Sequence, residues 1–196
     1  MKRDAELYLA TVEVSKVRGE WVDPTRSRVI LKRVCEEWYR AQVQIKPTTR
    51  SGYRFTLDKH VLPQWGTTRL VDVTHGDVQT WVGDLSKSLG PSMVRQIHLV
   101  QSGSMNFAIR DGRMVKIPCI DVQLPRLVKK QRGYLSHPQV KLMASECGSC
   151  GDVVLFMAYA GLRWGKMAAL TAQHVDFERH RVKIVQAISD PRGKIV

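Results

Sequence analysis

One arginine stands in the most apolar neighbourhood of this chain. In YAGLRWGKMAAL (159–170), Arg163 follows VVLFMAYAGL (153–162), ten residues without a charge. A guanidinium buried in such surroundings without a partner is costly even after relaxation, so an anion is expected beside it. Two sources are open. The anion could be the protein's own carboxylate, with Arg163 bracing the fold or capping the helix that ends near Gly161, or it could belong to a substrate. The first acid after the arginine is Asp176, and position 166, one turn on, is a lysine that offers repulsion instead.

Other residues with chemical capacity fall away on spacing. Cys147-Gly-Ser-Cys150 has the spacing of half a zinc site or of a redox pair. No second CxxC and no HxxxH accompany it, so a capping loop between two helices is the simpler reading. The six histidines, at 60, 75, 98, 137, 174 and 180, form no H-E-x-x-H pattern, and none lies within four residues of another. Neither a glycine-rich phosphate loop nor a GxSxG elbow is present. A metal site is therefore not expected.

A cationic run is the remaining candidate. Arg40, Lys46, Arg50, Arg54 and Lys59 face a single acid, Asp58, and Arg50 and Arg54 lie one helical turn apart. Such a run is usually a solvated face. Here the sign is repeated by Arg95, Arg110 and Arg113 and by the whole chain, in which 31 Lys and Arg exceed 18 Asp and Glu for a net charge of +13. That excess favours a polyanionic partner.

The elements that would position these residues can be read from periodicity. Residues 4–18 suggest a weakly amphipathic helix stopped by GEWVDP (19–24). A second helix over about 28–42 would turn Ile30, Val34 and Trp38 inward. Pro47 opens a third carrying Tyr53, Leu57 and Val61, and LPQWGTT (62–68) reads as a turn. Thr74 and Asp77 make a capping box for a fourth helix with Val78, Trp81, Val82 and Leu85. GPS (90–92) starts a long fifth helix through Ile97, Val100 and Phe107, ending at Asp111-Gly112. After Ile117 the period is lost. Pro118 and Pro125 forbid a continuous helix, and Arg126, Lys129, Lys130, Arg132 and Lys141 occur without an acid between Asp121 and Glu146.

Ser136 and Gln139 then cap a further helix, VVLFMAY forms the next, and Gly161 breaks it before a short helix in WGKMAAL. HVDFERHRVKIV (174–185) suggests two short strands about a turn at Glu178–His180. No run approaches the roughly 18 apolar residues of a membrane span, and charges at positions 4 and 6 interrupt any signal peptide. A cytoplasmic protein that does not engage membranes is expected. Four scattered cysteines are too few for a secreted disulfide framework.

In this order the pieces resemble the tyrosine recombinases, in particular the integrases of actinobacterial phages and prophages. PTTRSGYRFTLDKHVLPQWGTTRLVDVTHGDVQTWVGDL (47–85) is similar to their core-binding domain, with HVLPQWG as a characteristic turn. LGPSMVRQIHLVQSGSMNFAIRDG (89–112) resembles its last helix and VQLPR the linker. YLSHPQVKLM and AYAGLRWGKMAAL look like the opening of the catalytic domain. The resemblance implies a mainly α chain: a SAM-like four-helix core-binding domain, then the N-terminal part of the α/β tyrosine-recombinase catalytic domain, the DNA breaking-rejoining fold. It implies a coupling helix and linker from an arm-binding domain over 1–24, the core-binding domain over 25–116, a basic interdomain linker over 117–133, and an incomplete catalytic domain over 134–196.

By that resemblance Arg163 is the family's first catalytic arginine, which grips non-bridging oxygens of the scissile phosphate. The family reaction is attack by a tyrosine hydroxyl on a DNA phosphodiester, giving a 3′-phosphotyrosyl link without metal or nucleotide cofactor. A fixed guanidinium fork matches two phosphate oxygens at once. Double-stranded DNA at an attachment-type core site is the implied partner, along with full-length integrase protomers assembled on it, and a monomer is expected off DNA. Thr49, Arg50, Ser92 and Arg95, at the starts of two helices, are the implied groove contacts. Arg54, Arg126, Lys129 and Lys130 join them as expected DNA-binding residues.

The pattern departs from the family at Lys166, where an acid is usual, at Ala160 in place of threonine, and at Ile117 in place of asparagine. No histidine is followed three residues later by arginine, and all five tyrosines precede Arg163. Lys194 lies near the hairpin expected to hold the catalytic lysine, although that lysine normally falls further on. The expectation is a DNA-binding integrase fragment, truncated at both ends and unable to cleave alone. Its rivals are a DNA-bound regulator or competitor of a full-length integrase and a degenerate prophage remnant without function.

Overall fold

The computed structural model describes residues 12–14, 17, 24–128, 131 and 133–189. Of the helix expected over 4–18 only residues 12–14 and 17 are described, and they are helical. The GEWVDP stop, apart from the backbone of Pro24, lies outside the described residues, as do Lys129, Lys130, Arg132 and Lys194. The chain divides into two compact units, Met1–Val128 and Lys129–Val196.

In the first unit a single turn, α1 (Pro24–Ser27), precedes α2 (Leu31–Arg40), α3 (Pro47–Thr56), α4 (Leu62–Trp65), α5 (His75–Ser88) and α6 (Pro91–Arg110). Prolines open α3 and α6, where a missing N–H costs nothing and the ring presets φ. Apolar residues three and four apart give each long helix its inward stripe. Leu31, Val34, Cys35 and Trp38 come from α2, Val78, Trp81 and Val82 from α5, and Val94, Ile97 and Val100 from α6. Each large side chain so buried stabilises the bundle by roughly 1.5–3 kcal/mol before entropy is counted. Trp65 meets Trp81 edge-on at 5.7 Å between centroids, and Trp38 lies 5.3 Å from Tyr53. The glycine at 103 makes room for this layer, since a Cβ there would stand 3.0 Å from Cζ2 of Trp38.

Three local expectations are corrected. Ile30 is 43% exposed, because it is the N-cap of α2 and takes extended backbone paired with Arg69 instead of an inward helical position. LPQWGTT does not turn at once. Leu57–Val61 form a π turn directly after α3, and Leu62–Trp65 remain helical. Pro63 is the cause: it lacks an N–H, and its ring collides with the carbonyl four residues back in a regular helix. Widening the turn relieves that collision, and Leu62 N–H bonds five residues back to Leu57 O. The third concerns the first part, 117–128, of the stretch expected as a basic interdomain linker over 117–133. Ile117, Cys119 and Val122 are buried in the core, so this stretch divides with the bundle.

Side chains of α5 and α6 strap it down. His75 Nδ1 lies 3.1 Å from Pro118 O and His98 Nε2 3.2 Å from Cys119 O. Gln79 accepts from Gln123 N at 2.7 Å and donates to Gln123 O at 3.3 Å.

The second unit contains α7 (His137–Glu146), a 3-10 turn (Gly148–Cys150), α8 (Gly151–Ala160), α9 (Trp164–Met167), a 3-10 turn (Ala172–His174) and an antiparallel pair, β1 (Val175–Asp176) and β2 (Arg181–Val182). Val175 pairs with Val182 and Asp176 with Arg181, across a turn in which His180 takes φ 50°. Gln139 closes the cap of α7 by accepting from Ser136 N at 2.8 Å. Val140 is buried while Leu142 is 63% exposed. No helix of the described residues is long and apolar enough to cross a membrane.

Candidate functional site

Arg163 is presented by backbone, not by a salt bridge. Helix α8 ends at Gly161, whose φ of 64° is the left-handed geometry that glycine adopts without penalty. The chain then extends, and Arg163 (φ −79°, ψ 150°) caps α9, its carbonyl accepting from Lys166 N at 2.9 Å and Met167 N at 3.1 Å. The opposite side of α9 is clamped by the segment after β2. Ile188 N donates to Gly165 O at 2.8 Å, and a Cβ on residue 165 would collide with Ile188 O. Only glycine permits that approach. Further back, Lys183 N donates to His174 O at 2.9 Å, tying the same segment to the 3-10 turn.

The burial premise for Arg163 is corrected. Its side chain is exposed, and so is much of the apolar helix before it, including Phe156 and Tyr159. Among the described residues no carboxylate lies within ion-pair distance of it. Asp176, the first acid downstream, instead accepts from Arg179 N at 2.9 Å and shapes the hairpin turn. Desolvation therefore does not force an anion onto Arg163. What the geometry supplies is an open guanidinium on a rigid turn, with Lys166 exposed three residues on and no acid on α9. Two cations one turn apart can attract an oxyanion to this surface.

The expected contacts of the first unit separate into free and engaged groups. Thr49 and Ser92 are exposed in the first turns of α3 and α6, and Arg126 is exposed beyond Pro125. Arg50 turns back: its Nη1 donates to Gln42 O at 2.8 Å, and its guanidinium lies 4.9 Å above the Tyr39 ring. Arg95 donates from Nε to Pro125 O at 3.0 Å, holding the strap. Arg54 is the most engaged of them. It donates to Glu36 Oε1 at 2.9 Å and to Asp58, with its side chain 25% exposed. Hydrogen bonding to Asp58 and then Glu36 raises its pKa, against the opposing effect of burial. Sequence showed Asp58 four residues away; Glu36 sits on α2 and reaches Arg54 only through packing.

Residues 30–86 match the sequence profile of the phage integrase N-terminal SAM-like domain. Over 155 residues the chain is 24% identical to the putative prophage phiRv2 integrase of Mycobacterium tuberculosis, covering 78% of this chain and 41% of that protein. The integrase of transposon Tn1549, solved in complex with circular intermediate DNA, superposes with a TM-score of 0.71 at 19% identity, over 84% of this chain and 57% of that one. A second form of that integrase, carrying an arginine-to-lysine change, gives 0.71 at 18% identity over 84% and 55%. Residues 30–86 are thus similar to the phage integrase SAM-like domain, and the chain shares its fold with the Tn1549 integrase over 84% of its length. The chain spans 41% of the length of the curated relatives it matches.

Sequence reasoning missed the residues that hold others in place. Tyr39 serves as a platform for both Arg50 and Arg54, whose guanidinium lies 5.3 Å from the ring. Its position next to Trp38 on α2 gave no local signal. Glu37 is a second such residue. It receives Arg33 Nε at 2.9 Å and pairs with Arg113 at 2.6 Å, and the Arg33 bond leads in holding its carboxyl below the usual range. Arg113, one of the cations read as repeating the basic sign, is thus neutralised by Glu37 and Asp111. Among the described residues no group of three or more His, Cys, Asp or Glu could hold a metal.

Proposed function

We propose that this chain binds duplex DNA at an attachment-type core site as the core-binding and first-arginine portion of a tyrosine recombinase, and that by itself it does not cleave the strand. The observation that carries the reading is Arg163, held at a rigid turn with its guanidinium exposed and no carboxylate within ion-pair distance among the described residues. A phosphate oxygen is the anion such a group would take, since the planar fork donates to two oxygens together. The integrase SAM-like match over residues 30–86 supports placing DNA against the first unit. Exposed Thr49, Ser92 and Arg126 are its free polar edge, with Arg50 and Arg95 held by backbone carbonyls beside them.

In the proposed reading none of the tyrosines of these residues serves as the strand-cleaving nucleophile. Transesterification needs a hydroxyl nucleophile, and all five tyrosines precede Arg163 at 8, 39, 53, 134 and 159. In this reading the protein works in the cytoplasm, is a monomer off DNA, and meets full-length protomers only on the site. Two measurements test it. Titration of a labelled core-site duplex at low salt should show binding that weakens as salt rises. A nicked suicide substrate should give no covalent adduct. Absence of affinity at about 50 mM salt, where phosphate contacts are strongest, would end the DNA-binding reading, and an adduct would end the claim of inactivity.

A further inference from the structure

The four cysteines fall into two classes. Cys35 and Cys119 are buried in the bundle, whereas Cys147 and Cys150 are exposed at the corner between α7 and α8. The exposed pair is joined by a tight turn in which Cys150 N donates to Cys147 O at 3.1 Å. A turn closed by that bond brings its end Cα atoms within about 7 Å, and a disulfide spans Cα separations of roughly 4.4–6.8 Å. Two glycines hold the corner in this form. Gly148 takes φ +52°, a conformation other residues adopt with strain, and nothing lies within 4 Å of where its Cβ would be. The outer side of the turn is therefore open to a small reagent. Gly151 presses on α7: a Cβ there would stand 2.6 Å from Ala144 O. The two cysteines are thus held close in the backbone of a clamped turn.

We propose that Cys147 and Cys150 form a thiol–disulfide exchange site, oxidised to an intramolecular disulfide by small disulfides of the glutathione type. One cysteine, as thiolate, attacks a sulfur of the small disulfide, forming a mixed disulfide and releasing one small thiolate. The other cysteine gives its proton to solvent and attacks the protein sulfur of that mixed bond, expelling the second small thiolate. Both leaving groups take up protons. Two cysteine thiols and one small disulfide thus become one protein disulfide and two small thiols, with two electrons passing from the protein to the reagent. Zinc is a poorer occupant, because a closed site takes four ligands and no third His, Cys, Asp or Glu joins the pair among the described residues. The buried cysteines do not compete. Burial pushes the Cys119 thiol up to about 12 and Cys35 to about 11, and Cys35 is further engaged with Ser104 Oγ at 3.6 Å.

The test uses the full chain with oxidised glutathione under native conditions, read by thiol titration and intact mass. The reduced protein should show two fast thiols. Treatment should remove both, with a mass loss of two hydrogens and a peptide linking Cys147 to Cys150, while the other two thiols appear only on denaturation. Cys147→Ser and Cys150→Ser should each retain one glutathione as a stable mixed disulfide. The proposal is overturned if the wild-type chain keeps glutathione on both cysteines or leaves both unreacted. A disulfide that includes Cys35 or Cys119, or a zinc ion retained by the pair against oxidation, would overturn it equally.

Discussion

Arg54 donates to Glu36 and Asp58, while Arg163 projects from a turn with no acid within reach among the described residues. Only the second is free to exchange water for a phosphate without first breaking a bond of the fold. Arg163→Ala should therefore leave thermal stability within about 0.5 kcal/mol, as for other exposed positions. Arg54→Ala should cost more, because it removes the ion-pair partner of Glu36 and Asp58 and the cation above the Tyr39 ring. Paired thermal melts would show the ordering, and a larger loss for Arg163→Ala would make it a brace of the fold. A pH effect resides in His98. Burial is the first cause that holds its pKa below the ordinary 6.5, and Nε2 faces the Cys119 carbonyl. The unfolded chain then binds the proton first as pH falls. Its contribution is fully present above the unfolded pKa and is lost as pH drops through and below about 6.5. His60 shifts in the same direction, also through burial. The melting temperature should decline over that window, and His98→Gln should flatten the decline. An unchanged slope in the variant would remove His98 as its source.

Caps and glycines decide where the elements start and how closely they meet. Thr74 and Asp77 close a reciprocal box at the head of α5, with Asp77 N donating to Thr74 Oγ1 and Thr74 N to Asp77 Oδ2, each at 3.2 Å. Thr74→Ala should destabilise the bundle by about 1 kcal/mol, measured by denaturant titration. An effect near zero would mean that solvent satisfies that helix end equally well. At the other corner, Gly151→Ala must displace the α7 backbone, because the obstacle is the Ala144 carbonyl and not a flexible side-chain tip. Overpacking of this kind costs roughly 1–3 kcal/mol, so the melting transition of the second unit should fall while that of the first stays in place. Differential scanning calorimetry would separate the two.

The chain as a whole balances charge against exposed apolar surface. Its net +13 disfavours self-association. Against this, α8 carries one charged residue in ten, and Leu142, Met143, Phe156 and Tyr159 of α7 and α8 remain exposed. Helices apolar on all sides are normally covered. Added salt screens the repulsion while leaving the apolar attraction, so light scattering of the DNA-free protein should rise with ionic strength, and Leu142→Glu should suppress the rise. Scattering independent of salt would mean that the surface is not sticky at working concentrations. Core-site affinity should move the opposite way, falling at least about tenfold between about 50 and 200 mM salt for even a few phosphate contacts.

Periodicity, capping pairs and prolines placed the helices well, because they report backbone preferences settled within a few residues. Both capping boxes, the proline-started helices and the hairpin at 175–182 belong to this class. The order of motifs likewise carried the resemblance to integrases, in keeping with the SAM-like match over residues 30–86. Partnership was a different matter. Nothing near Arg54 announced Glu36, 18 positions back, nothing near Arg95 announced the Pro125 carbonyl, and nothing near residue 117 announced that the expected linker would be strapped into the core. The π turn at Leu57–Val61 and the exposure of Arg163 belong with them. Sequence by itself determined which segments are helical and where the cations stand. Tertiary structure alone decided which cations are spent and which are free, since ion pairing depends on distances across packed elements that a linear spacing does not contain.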